Sequence, residues 1–188
     1  MSLVTVEELL RIFKNADDDM RKRLSRAVRL VEENADPRFV KASFTFDDSF
    51  ALGGVTLAGK DIKKHLEGCS EVFVGVCTLG AGIDRLIERL KVTDLSAAYL
   101  LDIAASFAAE NLTENSWKSL VDAAEKRGMK CTTRYSCGYG DFDLSQQKDL
   151  LEISGADRAL SIRVNDGGMM YPTKSVTFLC GLKNDDGI

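Results

Sequence analysis

The sequence predicts a single α+β domain in which a mostly antiparallel, twisted sheet packs against helices, including one long central helix. Three observations lead to this class. Helical periodicity dominates the N-terminal half, one helical segment continues without a break over residues 94–126, and the strand-like segments occur in runs. Separate runs of helices and strands are typical of α+β proteins, whereas strict alternation of the two indicates a parallel sheet.

The length and the apolar content fit one domain with its own core. The chain has 188 residues, of which 45% are hydrophobic, and single domains commonly contain about 100 to 200 residues. Within the domain we expect N-terminal helices over residues 1–36, a core over 37–183 and a tail over 184–188.

Two amphipathic helices open the chain. The first has apolar residues at the i, i+3, i+4, i+7 spacing of one helix face: Val6, Leu9, Leu10 and Phe13. The second begins near Asp17, where three aspartates suit the positive end of a helix dipole, and it stops before Asp36-Pro37. Its apolar side chains are Met20, Leu24, Ala27, Val28 and Val31.

Strand-like patterns then alternate with short helices. Residues 39–57 alternate between apolar and polar around a Gly53-Gly54 turn, and a short helix is expected over 61–66. The apolar run over 72–79 predicts a buried strand that turns through Gly80-Ala81-Gly82 into a helix at 83–90. Glycines at such a turn either cradle a phosphate or simply allow close packing.

The long helix over residues 94–126 should close near Gly128, a residue that commonly follows a helix end. Its middle is rich in small side chains, which let other elements approach closely: Ala97, Ala98, Ala104, Ala105, Ala108 and Ala109. Asp102, Ser106 and Glu110 recur every four residues and form one polar stripe. This stripe faces either water or a ligand.

The C-terminal third is expected to contain three strands and one helix. We predict a strand over 129–133, a loop, a helix over 145–153, and strands over 159–164 and 175–182. Asn165-Asp166-Gly167-Gly168 has turn composition and separates the last two strands.

Charge and hydropathy exclude several classes of partner. The chain carries 25 Lys and Arg against 29 Asp and Glu, a net charge of −4, which argues against nucleic acid because phosphate binding depends on clustered cations. No apolar run approaches the ~20 residues of a membrane helix. The N-terminal sequence lacks the basic and apolar regions of a signal peptide, so a cytoplasmic location is expected.

Cysteine and histidine usage limits the possible chemistry. Five cysteines at scattered positions, without a C-x-x-C pair, argue against a disulfide framework: Cys69, Cys77, Cys131, Cys137 and Cys180. His65 is the only histidine, so the common histidine-rich zinc and iron sites cannot be assembled. We therefore expect no metal site and assign no catalytic residue. His65 is interpreted as a surface or helix-end residue, with a lone catalytic histidine as the alternative.

The segment with the most distinctive chemistry covers residues 134–142. Arg134 is suited to hold a carboxylate or phosphate through two parallel hydrogen bonds, and Gly138 and Gly140 allow close approach of a ligand. Tyr135 and Tyr139 offer flat faces for a base or a sulfonium. The same composition also fits a structural loop with a salt-bridged arginine.

This segment, R-Y-S-C-G-Y-G-D-F, resembles the reactivation domain of cobalamin-dependent methionine synthase, which has an R-x-x-P-G-Y loop. The resemblance continues through Gln146-Gln147-Lys148 and Met170-Tyr171-Pro172-x-Lys174-Ser175-Val176, where the family has a Pro-x-x-Ser-Val strand start. Upstream it reaches Leu57-x-Gly59-x-Asp61-Ile62 and Thr78-Leu79-Gly80-x-x-Ile83-Asp84-Arg85. It covers roughly residues 40–183.

The resemblance implies a domain that binds S-adenosylmethionine (AdoMet) and presents it to cobalamin held by another module. An electron from flavodoxin or an equivalent donor and a methyl group from AdoMet then restore methylcobalamin from cob(II)alamin. Carried over by motif, Arg134 would hold the methionyl carboxylate, and Gly138 and Tyr139 would form the wall beside the ligand, with Tyr135 and Cys137 nearby. Glu110, on the helix where the family has a glutamate, is the candidate for the ammonium or sulfonium end.

The sequence also departs from the family pattern. The loop proline is replaced by Cys137, and counterparts of an N-terminal aspartate and a C-terminal tyrosine pair are missing, so we expect weaker binding or contacts from a partner. A chain of this size cannot hold the other synthase modules, which implies a stand-alone subunit acting on a separate synthase. The alternatives are a scaffold partner of the synthase that has lost the ligand, and an independent small-molecule methyltransferase with Glu110 or Asp141 as base.

Overall fold

The computed structural model describes residues 2–184, and its helices and strands follow the expected order except for a short helix at Ala156–Ala159 and a short strand at Met170–Tyr171. The helices are α1 (Val6–Leu10), α2 (Asp18–Asn34), α3 (Lys60–His65), α4 (Ala81–Thr93), α5 (Leu95–Glu125), α6 (Gln147–Ser154) and α7 (Ala156–Ala159). The strands are β1 (Arg38–Thr45), β2 (Ala51–Leu52), β3 (Val55–Thr56), β4 (Glu71–Thr78), β5 (Met129–Cys131), β6 (Arg163–Val164), β7 (Met170–Tyr171) and β8 (Ser175–Asn184).

The two N-terminal helices begin at capping residues that the sequence places there. Thr5 forms a capping box with Glu8 at the start of α1, and the Asp17 carboxylate accepts the backbone N–H of Met20 at 2.8 Å at the start of α2. Helix α1 ends at Leu10, earlier than the spacing to Phe13 suggested, although Phe13 still packs against the same core.

The main sheet has four strands in the order β1-β4-β8-β5, and every neighbouring pair is antiparallel. Strand β4 lies inside the sheet, with Val74 opposite Ala42 of β1 and Leu179 of β8. Because both faces of this strand are covered, it is continuously apolar, as predicted. The predicted α+β class with an antiparallel sheet is confirmed.

Helix α5 is the long central helix that the sequence predicted. Its small residues are buried where α2 and α4 pack against it: Ala98, Ala104, Ala105, Ala108 and Ala109. Further along, Leu120 and Ala124 cover the sheet face formed by Phe73 and Phe178. The helix therefore connects the N-terminal helical layer to the sheet.

The predicted strand over residues 159–164 is wrong in its first half. Helix α7 occupies Ala156–Ala159, and only Arg163–Val164 form a strand, paired with Met170–Tyr171. Gly155 adopts a left-handed conformation, with φ of 68°, and separates α6 from α7. Burial of Ala156, Leu160 and Ile162 in one cluster explains the apolar pattern that looked like a strand.

Several smaller expectations also have outcomes. The Gly53-Gly54 turn joins β2 to β3, and the turn over 165–168 joins β6 to β7. Strand β5 ends at Cys131 rather than at residue 133. Strand β8 continues to Asn184, the first residue of the predicted tail, and the rest of that tail, residues 185–188, lies outside the described residues.

All five cysteines are free thiols. Among residues 2–184, no helix is both long and apolar enough to cross a membrane.

Candidate functional site

A cavity of about 440 Å³ lies where the loop after β5 meets the middle of α5 and the start of β8. Its lining includes five of the six predicted site residues: Glu110, Arg134, Tyr135, Cys137 and Tyr139. Gly138 lies in the same loop but not in the cavity wall. The remaining lining residues are Ser136, Gln147, Met170, Ser175, Val176 and Thr177.

The loop is attached to the sheet at Tyr135. The backbone N–H and C=O of Tyr135 both pair with Leu179 of β8, at 2.8 and 2.7 Å. The tyrosine ring packs against His65, with ring centroids 5.0 Å apart, and against Phe142. Arg134 directly precedes this anchored residue at the sheet edge. Its backbone position is therefore fixed, which limits where its side chain can reach.

Beyond Tyr135 the loop closes into a tight turn that needs two glycines. The N–H of Gly138 donates to the carbonyl oxygen of Phe142 at 2.7 Å, and Gly138 and Gly140 have φ of 88° and 54°. A side chain at position 140 would overlap the Asp61 carboxylate and would lie 2.8 Å from the Tyr135 hydroxyl. Backbone conformation thus favours glycine at both positions, and at position 140 the lack of space requires it as well.

Arg134 is paired with two glutamates of α5. Its Nε donates to Glu114 Oε2 at 3.3 Å, its Nη1 lies 3.5 Å from Glu110 Oε2, and its Nη2 pairs closely with Glu110 Oε1. Burial alone would lower the pKa of Arg134, but the two carboxylates raise it above its ordinary value. The cavity wall therefore carries one positive charge, from Arg134, and one negative charge, from Glu110, while Glu114 does not line the cavity.

The polar stripe of α5 meets cations from other elements. Asp102 lies 2.8 Å from the Lys174 ammonium, Ser106 accepts a hydrogen bond from the same ammonium at 2.9 Å, and Glu110 pairs with Arg134. The stripe is therefore neither a purely solvated face nor a purely ligand-facing one. Glu110 is the member that lines the cavity.

Cys137 lies where the family has a loop proline, and its thiol is buried. It packs with Phe142, Leu150 and Leu179. Burial raises the pKa of the Cys137 thiol to about 12, so the thiolate needed for nucleophilic or redox chemistry is scarce at neutral pH. This residue shapes the cavity wall as a small apolar side chain.

Gln147 was not assigned to the site by the sequence, although it lay within the motif. Its side-chain amide donates to the carbonyl oxygen of Gly168 at 2.7 Å and accepts from the Thr177 hydroxyl at 3.0 Å. All three polar groups are buried, and a buried amide with both ends satisfied fixes its neighbours in place. Gln147 thereby links the 165–168 turn to strand β8.

Two other sequence hypotheses have clear outcomes. His65 is the last residue of α3, and its Nε2 lies 2.8 Å from the carbonyl oxygen of Thr133, which agrees with the helix-end interpretation.

At the start of α4, a side chain at position 82 would overlap the backbone oxygen of Asn34. The end of α2 thus occupies the space beside this turn, which favours the packing interpretation of its glycines.

The fold is similar to that of a solved structure described as the MetH reactivation domain bound to AdoHcy (S-adenosylhomocysteine). The TM-score is 0.61 and the identity 15%, over 96% of this chain and 67% of that chain. A nitroreductase family protein from Streptococcus pneumoniae, 14% identical over 92% of this chain and 82% of its own, has a TM-score of 0.38, too low to support an argument. No protein-family model and no curated protein matches the sequence.

Proposed function

We propose that this chain binds AdoMet in the cavity beside Arg134 and supports reactivation of a cobalamin-dependent methionine synthase. The observation that carries the proposal is the meeting of the Arg134 loop and Glu110 of α5 around one cavity, in a fold similar to a reactivation domain bound to AdoHcy. The fold comparison alone gives no ligand at this identity, so the argument rests on the cavity.

The size and charge of the cavity suit AdoMet. Ligand sites commonly have volumes of about 300 to 1,000 Å³, and this cavity measures about 440 Å³. The charged residues that line the cavity are Arg134 and Glu110, and their two charges are opposite to those of the carboxylate and the ammonium at the methionyl end of AdoMet. Complementary charges of this kind favour a ligand that carries both groups.

Each predicted residue has a role that its position allows. Arg134 would bind the methionyl carboxylate through its Nη1 and Nη2 groups, and Glu110 would face the ammonium or sulfonium. Tyr139, whose surface is 67% exposed at the cavity rim, would cover the adenosyl end with its ring. The buried Cys137 and the Gly138 turn would hold that rim in place.

Reactivation itself requires partners that supply cobalamin and an electron. Methyl transfer from AdoMet to cobalamin on the synthase, with one electron from flavodoxin or an equivalent donor, would restore methylcobalamin and leave AdoHcy. The contribution of this chain would be to bind AdoMet and expose its methyl group at the cavity opening. It would act on the cobalamin-binding module of the synthase.

One observation favours a second candidate function. Arg134 already has two carboxylate partners within the chain, which is the arrangement expected of a structural loop. A protein that has kept the fold and lost the ligand could still bind the synthase as a scaffold. For the independent methyltransferase, Asp141 is a poor base because its carboxylate accepts the backbone N–H groups of Lys60 and Asp61.

Calorimetry and a reactivation assay separate these functions. AdoMet should bind the chain with a stoichiometry of one, and adding the chain, AdoMet and reduced flavodoxin to a synthase holding cob(II)alamin should produce the methylcobalamin absorption spectrum. Retention of the synthase in a pull-down without heat of AdoMet binding would instead support the scaffold. Turnover of a small acceptor in the absence of any corrinoid protein would support the methyltransferase.

A further inference from the structure

The two glutamates that pair with Arg134 occupy different edges of its guanidinium. Glu114 contacts Nε, while Glu110 contacts the terminal edge formed by Nη1 and Nη2. Because Glu114 is on Nε, the terminal edge is where a ligand carboxylate can form two parallel hydrogen bonds with Arg134. The Glu110 carboxylate therefore already occupies the position on Arg134 at which the ligand carboxylate is expected.

The two glutamates also differ in how firmly they are held. The Glu114 side chain is 35% exposed and is shared between Arg134 and Lys118, whose Nζ lies 3.4 Å away. The Glu110 side chain is 57% exposed and pairs with Arg134. An ion pair with an exposed carboxylate is screened by water and contributes little, so the pair with Glu110 costs less to open than the less exposed pair with Glu114.

We propose that an amino-acid ligand enters this site by exchanging ion pairs with Arg134 and Glu110. The ligand carboxylate replaces Glu110 on the terminal edge of Arg134, and the ligand ammonium becomes the new partner of Glu110. Glu114 stays on Nε and keeps the guanidinium oriented toward the cavity. The inference rests on the proposed function, since it specifies how the same cavity accepts the methionyl end.

The exchange makes the site selective for a free α-amino acid. A ligand with the carboxylate but without the ammonium would displace Glu110 and leave it unpaired, close to Glu114 and to the incoming carboxylate. Three carboxylates around one guanidinium repel each other, and in a partly buried site this repulsion is only partly screened. Ligands that lack either charge of the α-amino acid should therefore bind more weakly than ligands with both.

A thermodynamic cycle, in which the Glu110 charge and the ligand ammonium are removed separately and together, tests this exchange by calorimetry. The probes are AdoHcy and its analogue without the amino group, which differ only at the ammonium. The wild-type chain should bind AdoHcy about five- to tenfold more tightly than the analogue, as for a partly exposed charged pair. In Glu110→Gln this ratio should fall to about one. The matched control is Glu114→Gln, which should keep the ratio even if both affinities change.

The outcomes separate the exchange from the proposed function. An unchanged ratio in Glu110→Gln, with AdoHcy still bound, overturns the exchange and leaves the proposed function standing. A ratio lost equally in Glu114→Gln also overturns it, because Glu114 would then face the ammonium. Absence of AdoMet and AdoHcy binding to the wild-type chain at millimolar ligand overturns both. Thermal unfolding of each variant checks that the fold is intact.

Discussion

The carboxylate of Asp141 accepts hydrogen bonds from the backbone N–H groups of Lys60, at 2.7 Å, and Asp61, at 2.9 Å. In return, the backbone N–H of Asp141 donates to the Asp61 carboxylate at 3.3 Å. These N–H groups belong to the first turn of α3, whose positive end favours a negative charge. The turn that carries Tyr139 is thus attached to a helix some eighty positions earlier in the chain.

The Asp141 cap predicts a specific loss of stability in acid. The backbone N–H groups of Asp61 and Lys60 hold the pKa of Asp141 below its ordinary value of 3.8. A carboxyl group with a lowered pKa in the folded state contributes stability above its ordinary pKa, and this contribution is lost as the pH falls through the folded pKa. Between pH 5 and pH 3, the wild-type chain should therefore lose more stability than Asp141→Asn.

Urea unfolding at several pH values measures this difference. Asp122→Asn, on the exposed surface of α5, is the matched control and should follow the wild-type pH dependence. A parallel pH dependence of the wild-type chain and Asp141→Asn would mean that the cap does not stabilise the loop.

Removal of Arg134 should weaken AdoMet binding by about 1.5 to 3 kcal/mol, the usual contribution of a hydrogen bond to a charged group. The expected cause is loss of the partner for the methionyl carboxylate. Titration calorimetry of Arg134→Ala measures the loss. Arg127→Ala is the control, because it removes another arginine ion pair, with Glu71 at 2.5 Å, that does not line the cavity. Equal affinity in Arg134→Ala and the wild-type chain would place the carboxylate elsewhere.

Tyr139 offers a test of the adenosyl end. Its side chain lies at the cavity rim, so Tyr139→Ala should reduce AdoMet affinity by about 1 to 3 kcal/mol, the range for stacking of a base on an aromatic ring. The folding stability should change by less than about 0.5 kcal/mol because the residue is exposed. The control is Tyr99→Ala, because Tyr99 is 61% exposed on α5 and does not line the cavity. This substitution should leave the AdoMet affinity and the folding stability unchanged. A stability loss in Tyr139→Ala without an affinity change would make Tyr139 structural.

The cysteines should differ in their reactivity toward iodoacetamide. With a pKa of about 12, about one Cys137 thiol in 10,000 is ionised at pH 8, and burial restricts access further. Cys131 is half-buried, and a hydrogen bond from Cys180 lowers the pKa of its thiol. Peptide mass spectrometry of the folded chain should therefore find Cys131 modified first. Early modification of Cys137 would contradict its role as an apolar wall residue.

Asp84 should be important for stability because it holds the segment before β8. Its carboxylate accepts the backbone N–H of Thr173 at 3.0 Å and pairs closely with the Thr173 hydroxyl. Asp84→Ala would leave these donors without a partner in a largely buried place, which costs about 1 to 3 kcal/mol. Chemical denaturation measures the loss, and Asp84→Asn, which keeps one acceptor oxygen, should lose less. Equal losses in the two variants would mean that the charge, rather than the hydrogen bonds, is needed.

The elements that the sequence predicted correctly are those whose signal is local. The apolar spacing of Leu24, Ala27 and Val31 specifies a helix face whatever that face packs against, and the apolar run of β4 specifies a strand covered on both sides. The first half of the strand predicted over residues 159–164 was wrong because Leu160 and Ile162 are buried from a helix end and the turn after it, which produces the same alternation as a strand.

The residue types of the candidate site could also be identified from one short segment of the sequence. The partners of these residues could not, because they lie on other elements. An arginine, two tyrosines and two glycines within one short segment indicated a site for a carboxylate and a flat ligand. Arg134 meets Glu114 and Glu110, which precede it by 20 and 24 residues, because of the way α5 packs against the sheet. Gln147 escaped notice for the same reason, since its partners Gly168 and Thr177 come from other turns and strands.

The sequence by itself determined the fold class, the long helix and the segment that contributes most to the candidate site, because periodicity and composition act between near neighbours in the chain. Only the tertiary structure decided that the arginine of that segment is held by two carboxylates, since pairing between charges depends on distance in space. The packing of α5 against the sheet brings these groups within a few ångströms of each other.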